Sequence, residues 1–224
     1  MVIAIDGPSG SGKTSSAKML SEQLGFYYCD SGSLYRAVTY FLIENCVDLN
    51  NDVHIKEYIK NITVDYIIDK NKIYINNIDV TSKLRSIEVT NSVSLVSSKK
   101  VVRDKLIDIQ RSLANDNNLV LDGRDIGTTV FPNADFKFFL DADVAVRANR
   151  RYDETLATQK EKISYQEICI MIEKRDEFDR NRKYSPLIKA KDALRIDTTH
   201  LTLDEQVKKM VNFINKQKKQ DKVN

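Results

Sequence analysis

Residues 7–14 read Gly-Pro-Ser-Gly-Ser-Gly-Lys-Thr and follow directly on the apolar run Val2–Ile5. This spacing suits one kind of chemistry. Glycines let the backbone wrap tightly enough to aim several N–H groups at a single anion, and a helix beginning there adds the positive end of its dipole. Lys13 supplies a mobile cation for β- and γ-phosphates, and the Thr14 hydroxyl can ligate Mg²⁺. Strand, loop and helix come in the order that the motif G-x-x-x-x-G-K-[ST] requires. The sequence therefore predicts a cradle for a nucleoside triphosphate, formed by Gly7, Pro8, Ser9, Gly10, Ser11, Gly12, Lys13 and Thr14.

A second group of residues has the chemistry to hold an acceptor. Arg175, Asp179 and Arg182 are spaced i, i+4, i+7 and so share one helix face. An exposed Arg–Asp pair at this spacing adds only about 0.2–0.5 kcal/mol to a helix, but three such groups can also grip a ribose and a phosphate. Asp125 stands beside Arg124 after an apolar run. A carboxylate accepts the exocyclic amine of cytosine and repels O4 of uracil, and a mismatched buried hydrogen bond costs about 1–3 kcal/mol. Asp30, Asp122, Asp141 and Asp197 each end an apolar run. Asp141 and Asp197 read as turn formers, whereas Asp30 and Asp122 are candidates to order Mg²⁺-bound water or the acceptor.

Elements must place these groups together. Val2–Ile5, Phe26–Cys29, Leu119–Leu121, Phe136–Leu140 and Ala193–Ile196 read as strands buried on both faces. Helical periodicity follows Lys13 as far as Leu24, with Gly25 as a stop, and recurs through Leu34–Leu42, Ile87–Val96 and Val102–Ala114. An arginine-rich helix carries Arg147, Arg150 and Arg151, and capping boxes at Ser164–Glu167 and Thr202–Glu205 open two more helices. Ile62–Ile68 and Lys72–Val80 read as a small β insert with asparagine turns. The pattern predicts an α/β fold, a five-stranded parallel sheet with helices on both faces.

Composition narrows the function classes. A net charge of +3 from 35 basic and 32 acidic residues gives no broad field for a nucleic acid polymer or a membrane. Cys29, Cys46 and Cys169 are scattered, and His54 and His200 lie far apart, which disfavours a disulfide framework, a zinc site or a Ser-His-Asp triad. With no leader-like start and no long apolar run, the expectation is a cytoplasmic protein. No N-K-x-D guanine-reading motif is present, so a GTPase switch fits less well than a small-molecule kinase. A shikimate, dephospho-coenzyme A or UMP/CMP kinase, or an acceptor-independent switch, are the rival readings.

Taken together, IDGPSGSGKT (5–14), DSGSLYR (30–36), LDGRDIGTTVFP (121–132), FLDA (139–142) and KRDEFDRNR (174–182) resemble the bacterial-type cytidylate kinases, members of the nucleoside monophosphate kinases, over nearly the whole chain. The resemblance implies a single P-loop kinase domain over 1–224. Its core would be about 1–35, 115–145 and 190–224. A monophosphate-binding region would span about 36–114, with the β insert near 62–81, and a helical lid about 147–185. It further implies transfer of the ATP γ-phosphate to CMP or dCMP with Mg²⁺, by a monomer. By position, Ser31 and Arg36 match the segment that meets the monophosphate. Ser94, Arg103 and Asp125 match cytosine readers, and Arg124 and Arg182 match phosphate contacts. Arg175 and Asp179 match sugar contacts, while Arg147 and Arg151 fall in the region covering ATP. Lys13, Arg124, Arg151 and Arg182 are the expected catalytic set, with Thr14, and Asp30 through water, toward the metal. Thr14-Ser15 departs from the glycine-threonine of many relatives but keeps the hydroxyl. Residues 97–100 lack an aromatic-proline pair, which loosens the placement of Ser94. No pantothenate-synthesis domain is expected.

Overall fold

The computed structural model of the chain describes residues 1–115, 117–158 and 163–220. Strands β1 (Val2–Asp6), β2 (Tyr27–Asp30), β6 (Leu119–Gly123), β7 (Phe136–Asp141) and β8 (Leu194–Asp197) form one parallel sheet in the order β2-β6-β1-β7-β8. Side chains alternate between its faces. Ala4, Leu119 and Leu121 join a core under α2 (Ser31–Glu44), α4 (Ile87–Ser98) and α5 (Lys100–Leu113). Ile3, Ile5 and Val120 join a second core, closed by α1 (Lys13–Leu24) and α8 (Leu203–Gln220). Each fully buried Ile or Leu contributes roughly 1.5–3 kcal/mol by leaving water, and this two-sided burial explains why the strands are continuous apolar runs. α6 (Val144–Thr158) and α7 (Tyr165–Asn181) pack as a hairpin around Ala148, Ile168 and Ile172.

The capping chemistry acts as the sequence predicts at α7 and α8. Ser164 and Glu167 form a reciprocal capping box, and Thr202 and Glu205 exchange backbone and side-chain hydrogen bonds in the same way. Asp30 caps α2 by accepting the Ser33 N–H at 3.0 Å.

Three details differ from the sequence reading. The insert has three strands rather than two, β3 (Val64–Ile67), β4 (Lys72–Ile75) and β5 (Ile78–Asp79), because Asn76 and Asn77 both adopt positive φ and reverse the chain in two residues. A helix not anticipated, α3 (Asp52–Lys60), is capped by Asn51 and buries only Ile55 and Ile59. After β6 the chain makes one π-helical turn, Ile126–Val130. At the other end of the described chain, α8 runs to Gln220. Among the described residues no helix is long and apolar enough to cross a membrane. Part of the expected lid, 159–162, lies outside the described residues, as do 221–224.

Candidate functional site

The end of β1 and the start of α1 build the first half of the site. Gly10 and Gly12 take φ of +74° and +89°, left-handed values that favour glycine. Gly12 caps α1 with no side-chain bond, so no side chain competes there for the first turn's amides. Lys13 is buried and donates to the Pro8 carbonyl at 2.6 Å. Burial pushes its pKa down to about 7, assisted by the nearby Arg124 guanidinium. An anionic phosphate at the loop would restore its charge.

Beside this loop stand two buried carboxylates. Asp122, at the end of β6, accepts from Thr14 Oγ1 at 2.8 Å and from the Tyr28 hydroxyl at 2.7 Å. Its pKa is raised by burial and by Asp30. Asp6 accepts the N–H groups of Ile126 and Gly127, each at 2.8 Å, fastening the turn after Asp125 to the start of the loop. Burial raises the Asp6 pKa to about 7. Thr14 and Asp122 form an all-oxygen pair of the kind that Mg²⁺ accepts when phosphate oxygens complete its shell. Asp30 is less free for that role: one oxygen caps α2 and the other accepts the Ser33 hydroxyl at 2.7 Å.

The second half of the site is a lattice of arginines and carboxylates. Asp125 pairs with Arg103 and, at 3.3 Å, with Arg182. Asp179, wholly buried, accepts from Arg124 at 2.9 Å and Arg175 at 3.2 Å, with Arg182 at 3.8 Å. Burial pushes the Asp179 carboxyl up, and the three guanidinium groups outweigh this and hold it below the ordinary carboxylate range. Arg175 also donates to the Ser94 hydroxyl. Arg103 lies over the Tyr35 ring at 5.2 Å and donates to the Ser97 carbonyl at 3.0 Å. Among the described residues, buried Arg103 Nε and Asp179 Oδ1 have no hydrogen-bond partner, so the lattice keeps donor and acceptor capacity in reserve.

Arg36, on α2, bonds Thr90 Oγ1 at 3.0 Å and the Leu84 carbonyl at 3.3 Å. Its pKa falls to about 10, first through burial and then through the charges of Arg85, Arg175 and Arg151. Cations crowded together in this way mark a place for an anion. Ser31 is adjacent in chain to this cap and donates to the Asp122 carbonyl at 2.6 Å.

Arg147, expected to help cover ATP, reaches the phosphate loop itself. It is buried, bonded to the Ala142 carbonyl at 2.9 Å, to the Ser9 carbonyl at 2.8 Å, and to Asp176. The cause is Asp176, whose buried carboxylate requires a partner. Arg150 bonds Thr198. Arg151 is exposed and pairs with Glu154 at 3.1 Å. Arg182 caps the end of α7 in extended geometry rather than continuing the helix face, yet still reaches both carboxylates. Asp6, Tyr28, Arg85 and Asp176 escaped the sequence reading. Asp176 stood in plain view within the Arg-Asp pair at 175–176, but its partners are more than twenty-five residues away.

A loop shaped for one phosphate chain, set next to arginines crowded around a second anion position, defines the class of P-loop kinases. A solved structure of an uncharacterized protein from Eubacterium ventriosum shares this fold, with a TM-score of 0.52 at 13% identity over 96% of this chain and 98% of the other. The family model described as cytidylate kinase matches residues 3–216. The cytidylate kinase of Fusobacterium nucleatum is 44% identical over 96% of both chains. That of Halalkalibacterium halodurans is 46% identical over 96% of this chain and 97% of the relative. The chain belongs to the cytidylate kinase family and is a nucleoside monophosphate kinase.

Proposed function

We propose that the protein transfers the γ-phosphate of ATP to CMP and dCMP, giving CDP and dCDP, by direct in-line displacement. The observation that carries this reading is the position of Asp125, a buried carboxylate held between Arg103 and Arg182. In that setting it accepts the cytosine amine and rejects uracil O4. Asp179 Oδ1 takes a sugar hydroxyl, and Arg175 and Ser94 flank the nucleoside. The acceptor phosphate is already anionic at neutral pH, so no strong general base is needed. Lys13 and the loop amides hold the donor phosphates, while Arg36, Arg124, Arg151 and Arg182 neutralise charge around the transferred group. Mg²⁺, held through Thr14 and through water by Asp122, would neutralise the β- and γ-oxygens when bound. Asp30 orients α2 and contributes to that water shell at most from the second layer.

On this reading the α6–α7 hairpin acts as the lid, the segment from α2 to α5 with its β insert as the monophosphate-binding region, and the enzyme works as a cytoplasmic monomer. Lid closure keeps water from the γ-phosphate. The test is ADP release from ATP and Mg²⁺ with CMP, dCMP, UMP, AMP, GMP and no acceptor in parallel. Selective turnover with CMP and dCMP is the expected result. Equal turnover with UMP removes Asp125 as base reader, and ADP release indifferent to every acceptor removes the kinase reading.

A further inference from the structure

The phosphate loop is gripped from outside at one residue, through the two peptide groups that flank it. Ser9 N–H donates to Asp176 Oδ1 at 3.0 Å, and the Ser9 carbonyl accepts from Arg147 Nη1 at 2.8 Å. Arg147 comes from α6 and Asp176 from α7, and the two side chains pair with each other in full burial. The next residue, Gly10, lies so close to α6 that a Cβ would sit 2.9 Å from the Arg147 carbonyl oxygen. The loop therefore rests on the α6–α7 hairpin and not only on β1 and α1.

The same turn of α7 carries the acceptor lattice. Arg175 precedes Asp176 and Asp179 follows it by three residues, and both reach Arg124 or Ser94 on other elements. Groups three apart on a helix lie on neighbouring ground, so the turn that a ligand at Arg175 and Asp179 loads is the turn that carries Asp176. A buried charge pair resists being parted, because either partner alone would be left uncompensated in a dry interior. The pair thus transmits a displacement of α7 to Ser9 and does not absorb it.

We infer that Arg147 and Asp176 are positioning residues that couple the two sites: acceptor binding at Arg175 and Asp179 is read out at the backbone N–H and carbonyl of Ser9 and resets the loop for the donor. The inference rests on the kinase reading above, and the two fail separately. Wild-type turnover of ATP with CMP tests the kinase reading. Coupling is tested by the dissociation constant of a non-hydrolysable ATP analogue with Mg²⁺, measured on the full chain with and without saturating CMP. The wild type should show at least about a fivefold difference, the low end of typical site-to-site coupling. Asp176→Ala should bring the ratio within about twofold of unity, with CMP affinity alone changed less than about twofold, since a lost coupling leaves each site's own contacts in place. Asp176→Asn, which keeps the shape and an acceptor for Ser9 but not the charge, should fall between them. Addition of CMP alone to the ¹⁵N-labelled wild type should shift the Ser9 amide resonance, a measurement that needs no variant. A wild-type ratio near one overturns the inference. So does a Ser9 resonance indifferent to CMP, or a folded Asp176 variant that loses thermal stability yet keeps the wild-type ratio.

Discussion

In the phosphate loop the ligand-facing groups are backbone amides, shaped by glycines with left-handed φ. In the neighbouring lattice they are guanidinium and carboxylate groups drawn from α5, α7 and its C-terminal end, and the loop after β6. The first half depends on chain geometry, so one short segment specifies it. The second depends on charge balance among distant segments, so no single segment does. A change in the loop should therefore alter chemistry while the protein stays folded. A change in the lattice should alter stability and selectivity together.

Asp179→Ala tests that contrast most severely. It leaves Arg124, Arg175 and Arg182 facing one another without their shared carboxylate, and loss of one partner from a buried charge network costs about 3–5 kcal/mol. Urea unfolding should show this loss, and a variant as stable as the wild type would dissolve the contrast. Lys13→Ala is the counterpart in the loop. It should lower turnover by about 10²–10³, as removal of one preorganised charge-stabilising group does elsewhere, with CMP affinity and unfolding midpoint nearly unchanged. Equal losses of stability in both variants would show that the loop, too, is held by charge.

Asp125→Asn sharpens the comparison within the lattice. An amide can donate to uracil O4, so the ratio of kcat/KM for CMP over UMP should fall about tenfold, within the 1–3 kcal/mol of a mismatched buried hydrogen bond. The smallest effect concerns protons. Burial holds the free Lys13 near a pKa of about 7, so above that pH it is largely neutral. Donor phosphates favour the ammonium form, which requires proton uptake on binding above pH 7 and little uptake at pH 6. Calorimetry of ATP binding in buffers of different ionisation enthalpy reads this directly, and proton release at pH 8 would reverse the sign.

Much of this was legible in the sequence. The loop and the parallel strands declare themselves because their signals are local: a fixed spacing of glycines, or a run of residues buried on both faces. Asp125 and Asp179 were legible by chemistry, but their pairing with each other's arginines was not, because Arg182 reaches both only by leaving the helix at its end. The turn at Ile126–Val130 could not be foreseen, since it is held by Asp6 from 120 residues away. Helix α3 escaped for the opposite reason: it buries only two residues, and its pattern is too sparse to stand out. Arg147 was assigned by its place in the chain, whereas Asp176 decides where its guanidinium goes.

The sheet order has a consequence for synthesis. β1 ends at Asp6, yet both its sheet partners, β6 and β7, come from residues 119–123 and 136–141. At about 5–20 residues per second the ribosome needs on the order of ten seconds to reach β7 after completing β1. During that time Ile3 and Ile5 have α1 to pack on but lack their sheet neighbours, and the segment that will grip phosphate has no sheet to hold it. The nascent chain must keep β1 without a sheet partner until residues 119–123 have been made.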